Sequence, residues 1–375
     1  MTSAAPLHCL VVGGGVVGLA VAADLAQHGA RVTVVERGRR CGEQASAAAA
    51  GMLAEGAEAT EQGPFQDLCR RSRELWPDWA EELHRRSGID CELDRVGLVR
   101  VTTTESGRAL LERQSALQRS QGIEVSDLLQ LDQLRQLVPA LGPLVLAGLH
   151  YPGDWHVHSH RVVEALVATC WALGVVLETE VEVSSVAGGS TGAGLELAGG
   201  ARRDADYVVV CAGSWSGSLW APRASAVLEV EPIRGQIVAV DPGRFLLPKI
   251  VFGDSGYLLQ KRSGLVLLGT TQERAGYQPW PTLEGVLSVS ASAQELIPEV
   301  AQARLAHVWA GLRPHAPDGL PLLGRLEPRG RVVLATAHYR NGILLAPVTA
   351  ELIGRAILEG DDPAELQPFS PRRLA

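Results

Sequence analysis

The sequence contains no CxxC pair, no block of Lys and Arg, and no apolar run that avoids Gly, Pro and charge for the length of a bilayer. Each absence excludes a class of function. Six cysteines (Cys9, Cys41, Cys69, Cys91, Cys170 and Cys211) are scattered without metal-ligand spacing, which suits a reducing compartment, and the protein is expected to be cytoplasmic. Lys and Arg number 34 against 42 Asp and Glu, a net charge of -8, so no basic stripe offers itself to a phosphate backbone. Neither nucleic acid nor an anionic membrane is an expected partner. The apolar N-terminus lacks a basic n-region and is broken by Gly13, Gly14, Gly15 and Gly18, so it reads as a strand entering a helix rather than a signal peptide. No internal repeat and no disordered linker is visible.

What is present is a chain of 375 residues, 46% of them hydrophobic, enough for a sizeable core and, at roughly 100 to 200 residues per domain, about two domains. Leu7 to Val12 is a short apolar run, followed by a helical pattern to Gly29 and a second strand, "RVTVVER". That is a βαβ unit. The small-residue stretch "ASAAAAGML" permits a ligand to lie against the backbone, although an alanine run is also an easy helix. After Pro64 the text turns charged and helical, then gives the strand "GLVRVTTT" and two polar helices up to Pro139. From Asp154 a helix, the strand "VVLETEVEVSSV", a Gly-rich hairpin and the strand "DYVVVCAGSWSG" return to βα character. Residues 223 to 304 are β-rich, with one helix near Thr282 to Glu295.

The expected fold is α/β: a Rossmann-like dinucleotide-binding domain (1-60, 155-222 and 305-375) interleaved with an antiparallel-sheet substrate domain (61-154 and 223-304). Gly13-Gly14-Gly15-Val16-Val17-Gly18 is a GxGxxG at a strand-to-helix junction, with Glu36 ending the next strand. Glycines allow close backbone approach to a pyrophosphate, and the helix N-terminus presents free N-H groups to it. Glu36 would bond a ribose 2'-OH and repel a 2'-phosphate. No second GxGxxG is visible for NAD(P)H, and the scattered remaining βα segments argue for FAD, whose length requires contacts from distant parts of the chain.

The chain resembles the FAD-dependent D-amino-acid oxidase superfamily, most closely its glycine oxidase branch, the type that supplies an imine for thiazole formation in thiamin synthesis. The matching text is "VVGGGVVGLAVAADLAQHGARVTVVER", "AAAAGML", "YVVVCAGSWSG", "PIRGQ", "GYLL", "WAGLRPHAPDGLPLLG", "HYRNGILLAPVTAELI" and "LQPFSPRR". The resemblance implies that Gly13, Gly15, Gly18, Glu36, Ser46, Gly51 and Met52 contact the adenine half and linker of FAD, with the backbone of Val181 at the adenosine end. Val16, Val17, Arg37 and Ala50 join them. Ala212, Gly213 and Trp215 form a second group of cofactor contacts, and His338, Arg340, Asn341, Gly342, Ile343 and Leu344 a third. Arg313, in "GLRP", matches the anchor of the substrate carboxylate and is also a cofactor contact; Tyr257 matches the hydroxyl beside it, and Arg340 the arginine beside the flavin. Met52, Tyr257, Gln272, Arg313 and Arg340 are the expected substrate pocket. No cysteine lies near "GLRP", so FAD is expected to be non-covalent. Relatives form homo-oligomers.

Two departures from the family pattern bear on the substrate. His158 and Ser159 stand where the family commonly has an acidic residue and a proline, and Gln272 where some glycine oxidases have methionine. The expected reaction is oxidation of glycine or an N-substituted glycine: an arginine fork fixes the carboxylate, a hydride passes from the α-carbon to flavin N5, and the imine hydrolyses to glyoxylate and amine while dioxygen becomes hydrogen peroxide. Alternatives are removal of a glycine unit from an N-carboxymethyl amino acid in a natural-product pathway, a D-amino-acid or D-proline oxidase, and a non-catalytic flavin subunit.

Some residues carry a plainer reading. His156, His158 and His160, with Asp154, alternate as metal ligands could, or are capping and surface histidines; no metal is expected. Arg313 could instead pair structurally with Asp318. The eight tryptophans read as packing, with Trp215 near FAD. Pro347 sits comfortably only in a first helical turn, so the last helix is expected to begin near Ala346, leaving Asn341 to Leu345 as its approach.

Overall fold

The computed structural model describes residues 6–59, 61–220 and 229–374. Two large sheets organise it. In the first, the strands run in the order Leu322–Arg325, Val332–Thr336, Tyr207–Val210, His8–Val12, Arg31–Val35, Val176–Glu178, parallel except for the first pair. Its central strands are continuously apolar because both faces are covered. Helices Val16–Gln27, Pro64–Ser87, Ser159–Ala172 and Gly342–Leu358 pack on one face. A three-stranded antiparallel sheet, the Gly-rich hairpin of the sequence, covers the other.

The second sheet has eight strands in the order Arg304–His315, Glu231–Asp241, Val266–Gly269, Tyr257–Gln260, Ile250–Phe252, Leu98–Thr102, Ala147–Tyr151, Leu129–Gln130. All its pairs are antiparallel except Ile250–Phe252 with Leu98–Thr102. Strand Arg304–His315 pairs along its length with Glu231–Asp241. A division of the chain at 304/305 therefore runs through the head of a strand of this sheet, while those at 60 and at 222/223 fall on residues outside the described ones.

The last helix corrects the proline argument. It spans Gly342–Leu358, with Pro347 in its interior and the Leu345 N-H already bonded to the Asn341 carbonyl at 2.8 Å. Pro347 removes the N-H that would bond the Ile343 carbonyl; the next carbonyl, of Leu344, accepts from Ser72 Oγ (2.6 Å) and Trp76 Nε1 (2.9 Å) of helix Pro64–Ser87, and Ser72 Oγ accepts from the Val348 N-H (3.4 Å). A tertiary contact supplies the donors.

Candidate active site

The nucleotide end is set by steric exclusion. Gly13 takes φ 103°, a left-handed conformation that suits glycine, and a Cβ there would overlap the Cys211 carbonyl. A Cβ on Gly18 would overlap the Gly13 carbonyl, so Gly18 seats helix Val16–Gln27 against the turn rather than lining the cleft. Ser46 Oγ accepts the Val16 N-H (3.0 Å) at the helix start. Glu36 ends its strand as expected, accepting from the N-H groups of Gly14 (2.8 Å) and Gly38 (2.7 Å), and its carbonyl accepts from the Val181 N-H at 3.0 Å.

One continuous cleft of about 1790 Å³, its open mouth included, runs from these residues to the second sheet. Its lining joins the glycine turn at one end to the second sheet at the other, the reach that a dinucleotide with a substrate beyond it requires. Arg37, Val181, Ala212, Gly213 and Trp215 line the nucleotide side, where the Arg37 guanidinium lies 3.6 Å over the Trp215 ring. Gly15, Val16, Val17, Ser46, Ala50, Gly51 and Met52 line the middle, and Tyr257, Arg313, His338, Arg340, Asn341, Gly342 and Ile343 the far part. Met52, expected both along the linker and in the substrate pocket, packs with Ala50 and Tyr257 in one apolar cluster.

Leu344 and Gln272, like Gly18, were expected in the site and lie outside the cleft. Leu344 is buried beneath it, where only its carbonyl is used, by Ser72 and Trp76. Gln272 is exposed and accepts from the Tyr339 hydroxyl (2.6 Å), because the chain has left strand Val266–Gly269 and turned outward.

At the far part, Arg313 donates from Nη2 to Thr270 Oγ1 (2.8 Å) and from Nη1 to the Thr271 carbonyl (3.1 Å). Its guanidinium lies across Gly235, where a Cβ would overlap it; the Tyr257 ring likewise lies over Gly269. The two glycines make the floor shallow enough for the two side chains. The alternative partner Asp318 is held by Arg373 instead, at 2.7 Å. Burial pushes the Tyr257 hydroxyl up to about 12, against the pull of the two arginines, so it stays a donor at neutral pH. Arg340 donates to Glu58 Oε1 at 3.0 Å, and that carboxylate raises its pKa.

Glu58, Thr270, Gly235 and Tyr339 were not singled out in the sequence. Glu58 had one signal, as one of two acids in the small-residue text "AEGAEAT", and Gly235 another, the "PIRGQ" motif. The histidines are separated in role: His156 is buried beside Lys261, His158 precedes helix Ser159–Ala172, and His160 is exposed. Asp154 accepts from the N-H groups of Gly56 (2.8 Å) and Ala57 (2.7 Å). Among the described residues no group of three His, Cys, Asp or Glu side chains could hold a metal, and no helix is long and apolar enough to cross a membrane.

A glycine cradle at a helix N-terminus, opening along one cleft onto an arginine and a tyrosine, is the arrangement of a dinucleotide-dependent enzyme. The glycine cradle, the Glu36 carboxylate beside it and a cleft lined from both sheets fit FAD. The family model described as "FAD dependent oxidoreductase", the DAO family, matches residues 8–356, and the chain belongs to that family. It is similar to a glycine oxidase of Geobacillus kaustophilus, 36% identical over 365 residues that cover 97% of this chain and 96% of the relative. A bifunctional ThiO/ThiG protein of Synechocystis is 32% identical over 97% of this chain but 54% of its own length. The crystal structure of the Geobacillus kaustophilus glycine oxidase superposes with a TM-score of 0.92, at 34% identity over 98% of this chain and 99% of that one. An iminodiacetate oxidase from Chelativorans superposes at 0.85 over 97% and 98% of the two chains but is 22% identical, which shows a shared fold.

Proposed function

We propose that the chain oxidises glycine, or a glycine substituted on nitrogen, at the carbon beside the carboxylate. The observation that carries this reading is Arg313: two of its five donors are spent on Thr270 and Thr271, and the remainder, with the Tyr257 hydroxyl, are available to a carboxylate in the cleft. The names of the relatives support glycine as the parent substrate. In this reading the antiparallel sheet is the substrate half of the molecule and the parallel sheet the cofactor half.

Arg313 and Tyr257 fix both ends of the carboxylate, so the direction of the α-carbon is set before reaction. Arg340 is already paired with Glu58, which leaves one uncompensated arginine for one carboxylate. Residues Gly13, Gly15, Ser46, Glu36 and the Gly51–Met52 backbone hold the cofactor. The N-H groups opening helix Gly342–Leu358 turn a positive dipole end to the cleft, where negative charge collects on reduction. FAD, when bound, would supply the two-electron acceptor for oxidation at the α-carbon, with dioxygen as the final acceptor and hydrogen peroxide as its product. No side-chain base has to take the α-proton, because the neutral amine's lone pair drives departure of the hydride. Water then hydrolyses the imine to glyoxylate and an amine.

The test is anaerobic addition of glycine, sarcosine, longer N-alkyl glycines, D-alanine and D-proline to the yellow protein. Bleaching by glycine or its N-alkyl derivatives is expected. Bleaching by D-proline or D-alanine alone transfers the assignment to a D-amino-acid oxidase, and none at all to a flavin-binding subunit.

A further inference from the structure

Lys261 is a buried lysine that the reaction above does not use. It stands at the start of the hairpin turn after strand Tyr257–Gln260, and its Nζ donates to the carbonyls of Ala50 and Val157, each at 2.7 Å, with His156 Nδ1 at 3.5 Å. Lysine is seldom fully buried without a partner, and a long side chain loses about 1.5–2 kcal/mol of rotamer freedom when fixed. A buried amine bound to backbone carbonyls therefore needs a reason.

The reason lies in the segment it holds. Every carbonyl from Ala48 to Gly51 is taken by a donor from another element: Ala48 by Trp309 Nε1 (3.1 Å), Ala49 by Ser159 Oγ (2.7 Å), Ala50 by Lys261, and Gly51 by the Val157 N-H (2.9 Å). Ala48 to Met52 line the cleft, whereas Ser159, Val157 and Lys261 do not. A trans peptide places C=O and N-H on opposite sides. Carbonyls tied to donors behind the wall thus turn the N-H groups of Ala50, Gly51 and Met52 toward the cleft, beside Tyr257 in the same apolar cluster.

We propose that Lys261 is a positioning residue for the cofactor, fixing the Ala50 peptide so that the Gly51 N-H faces the bound flavin and stabilises the charge it gains on reduction. Lys261 also extends the strand that carries Tyr257, so one side chain registers the cofactor wall against the substrate floor. Donors fixed in advance cost no reorganisation when charge develops, and a wall free to rotate loses that advantage. Desolvation by burial lowers the lysine pKa to about 7, opposed by Asp94 and Glu92. The inference rests on FAD as the cofactor and not on the substrate assignment.

The test uses Lys261→Met and Lys261→Arg, with FAD affinity measured on deflavinated protein and the midpoint potential on the reconstituted holoenzyme, both without substrate. Lys261→Met should weaken FAD binding at least tenfold. It should weaken reduced FAD a further tenfold, which for a two-electron couple lowers the potential by about 30 mV. Lys261→Arg, which keeps a donor at the site, should return both quantities to within about threefold of the parent. Unchanged affinity and potential in Lys261→Met overturn the proposal, as does a loss that Lys261→Arg does not repair. If the methionine variant does not fold, Ser159→Ala decides: it frees only the neighbouring Ala49 carbonyl and must lower the potential in the same direction, so a native potential there refutes the mechanism.

Discussion

Replacing Gly235 with alanine tests the geometry of the proposed substrate anchor, Arg313, without removing any group assigned to substrate contact. The new Cβ would overlap the Arg313 guanidinium, whereas ordinary contact begins at 3.4 Å. Backbone adjustment is blocked, because Gly235 pairs with Gly311 on strand Arg304–His315 and Gly311 is itself pressed against Ala48. The guanidinium has to move by on the order of 1 Å, a misplacement that costs about 10²-fold, or about 2.7 kcal/mol. The loss of one hydrogen bond to a charged group, about 1.5–3 kcal/mol, gives the same scale. Anaerobic stopped-flow separates the two quantities that matter, the substrate dissociation constant from saturation of the bleaching rate and the limiting rate itself. The dissociation constant should rise about 10- to 100-fold while FAD remains bound with its spectrum unchanged. A variant with the parent's dissociation constant and limiting rate would refute the claim that Arg313 anchors the substrate from above Gly235.

Three further outcomes follow from the same structure. Glu58→Gln removes the partner of Arg340 and frees its charge, so the specificity for iminodiacetate relative to glycine should rise by about tenfold, the order of one charge-assisted hydrogen bond; a ratio of kcat/KM values that does not move excludes Glu58 as the neutralising group. His338 is buried, its Nε2 3.0 Å from Thr349 Oγ1, and burial lowers its pKa from 6.5 to about 4. The folded state therefore holds it neutral where the unfolded chain protonates, and the stability it contributes is complete above about pH 6.5 and lost as pH falls toward 4; His338→Gln should flatten part of the Tm-against-pH curve in that window, and an unchanged slope would count against it. Gly18→Ala places a Cβ on the Gly13 carbonyl and should give protein that purifies colourless or does not fold, whereas stoichiometric FAD in that variant would contradict the packing described.

The nucleotide end was legible because its causes are local. Gly13 and Gly18 are required by backbone sterics, and with Gly15 and the acid after the next strand they fall within 24 residues of chain, Gly13 to Glu36; the structure brings them together with Ser46 and Val181. The last helix shows the limit of a local rule. Pro347 should mark its start, yet the helix begins at Gly342 and carries the proline in its interior, with Ser72 and Trp76, about 270 residues earlier in the chain, bonded to the neighbouring Leu344 carbonyl. Gln272 depends on the tertiary structure too: the position after "GTT" reads as pocket, yet which way it faces is set by where the strand ends, and here it is exposed and accepts from Tyr339, which lines the cleft.

The sequence by itself determined the glycine turn at the strand-to-helix junction and the α/β alternation, since these depend on neighbours along the chain and on the strand and helix periods. Only the tertiary structure decided what those residues do to one another. Glu58 meets Arg340 across 282 residues, Lys261 meets Ala50 across 211, and Gly235 comes to lie beneath Arg313 through the register of two antiparallel strands. Such contacts are fixed by sheet pairing and burial, which act between segments that no local pattern connects.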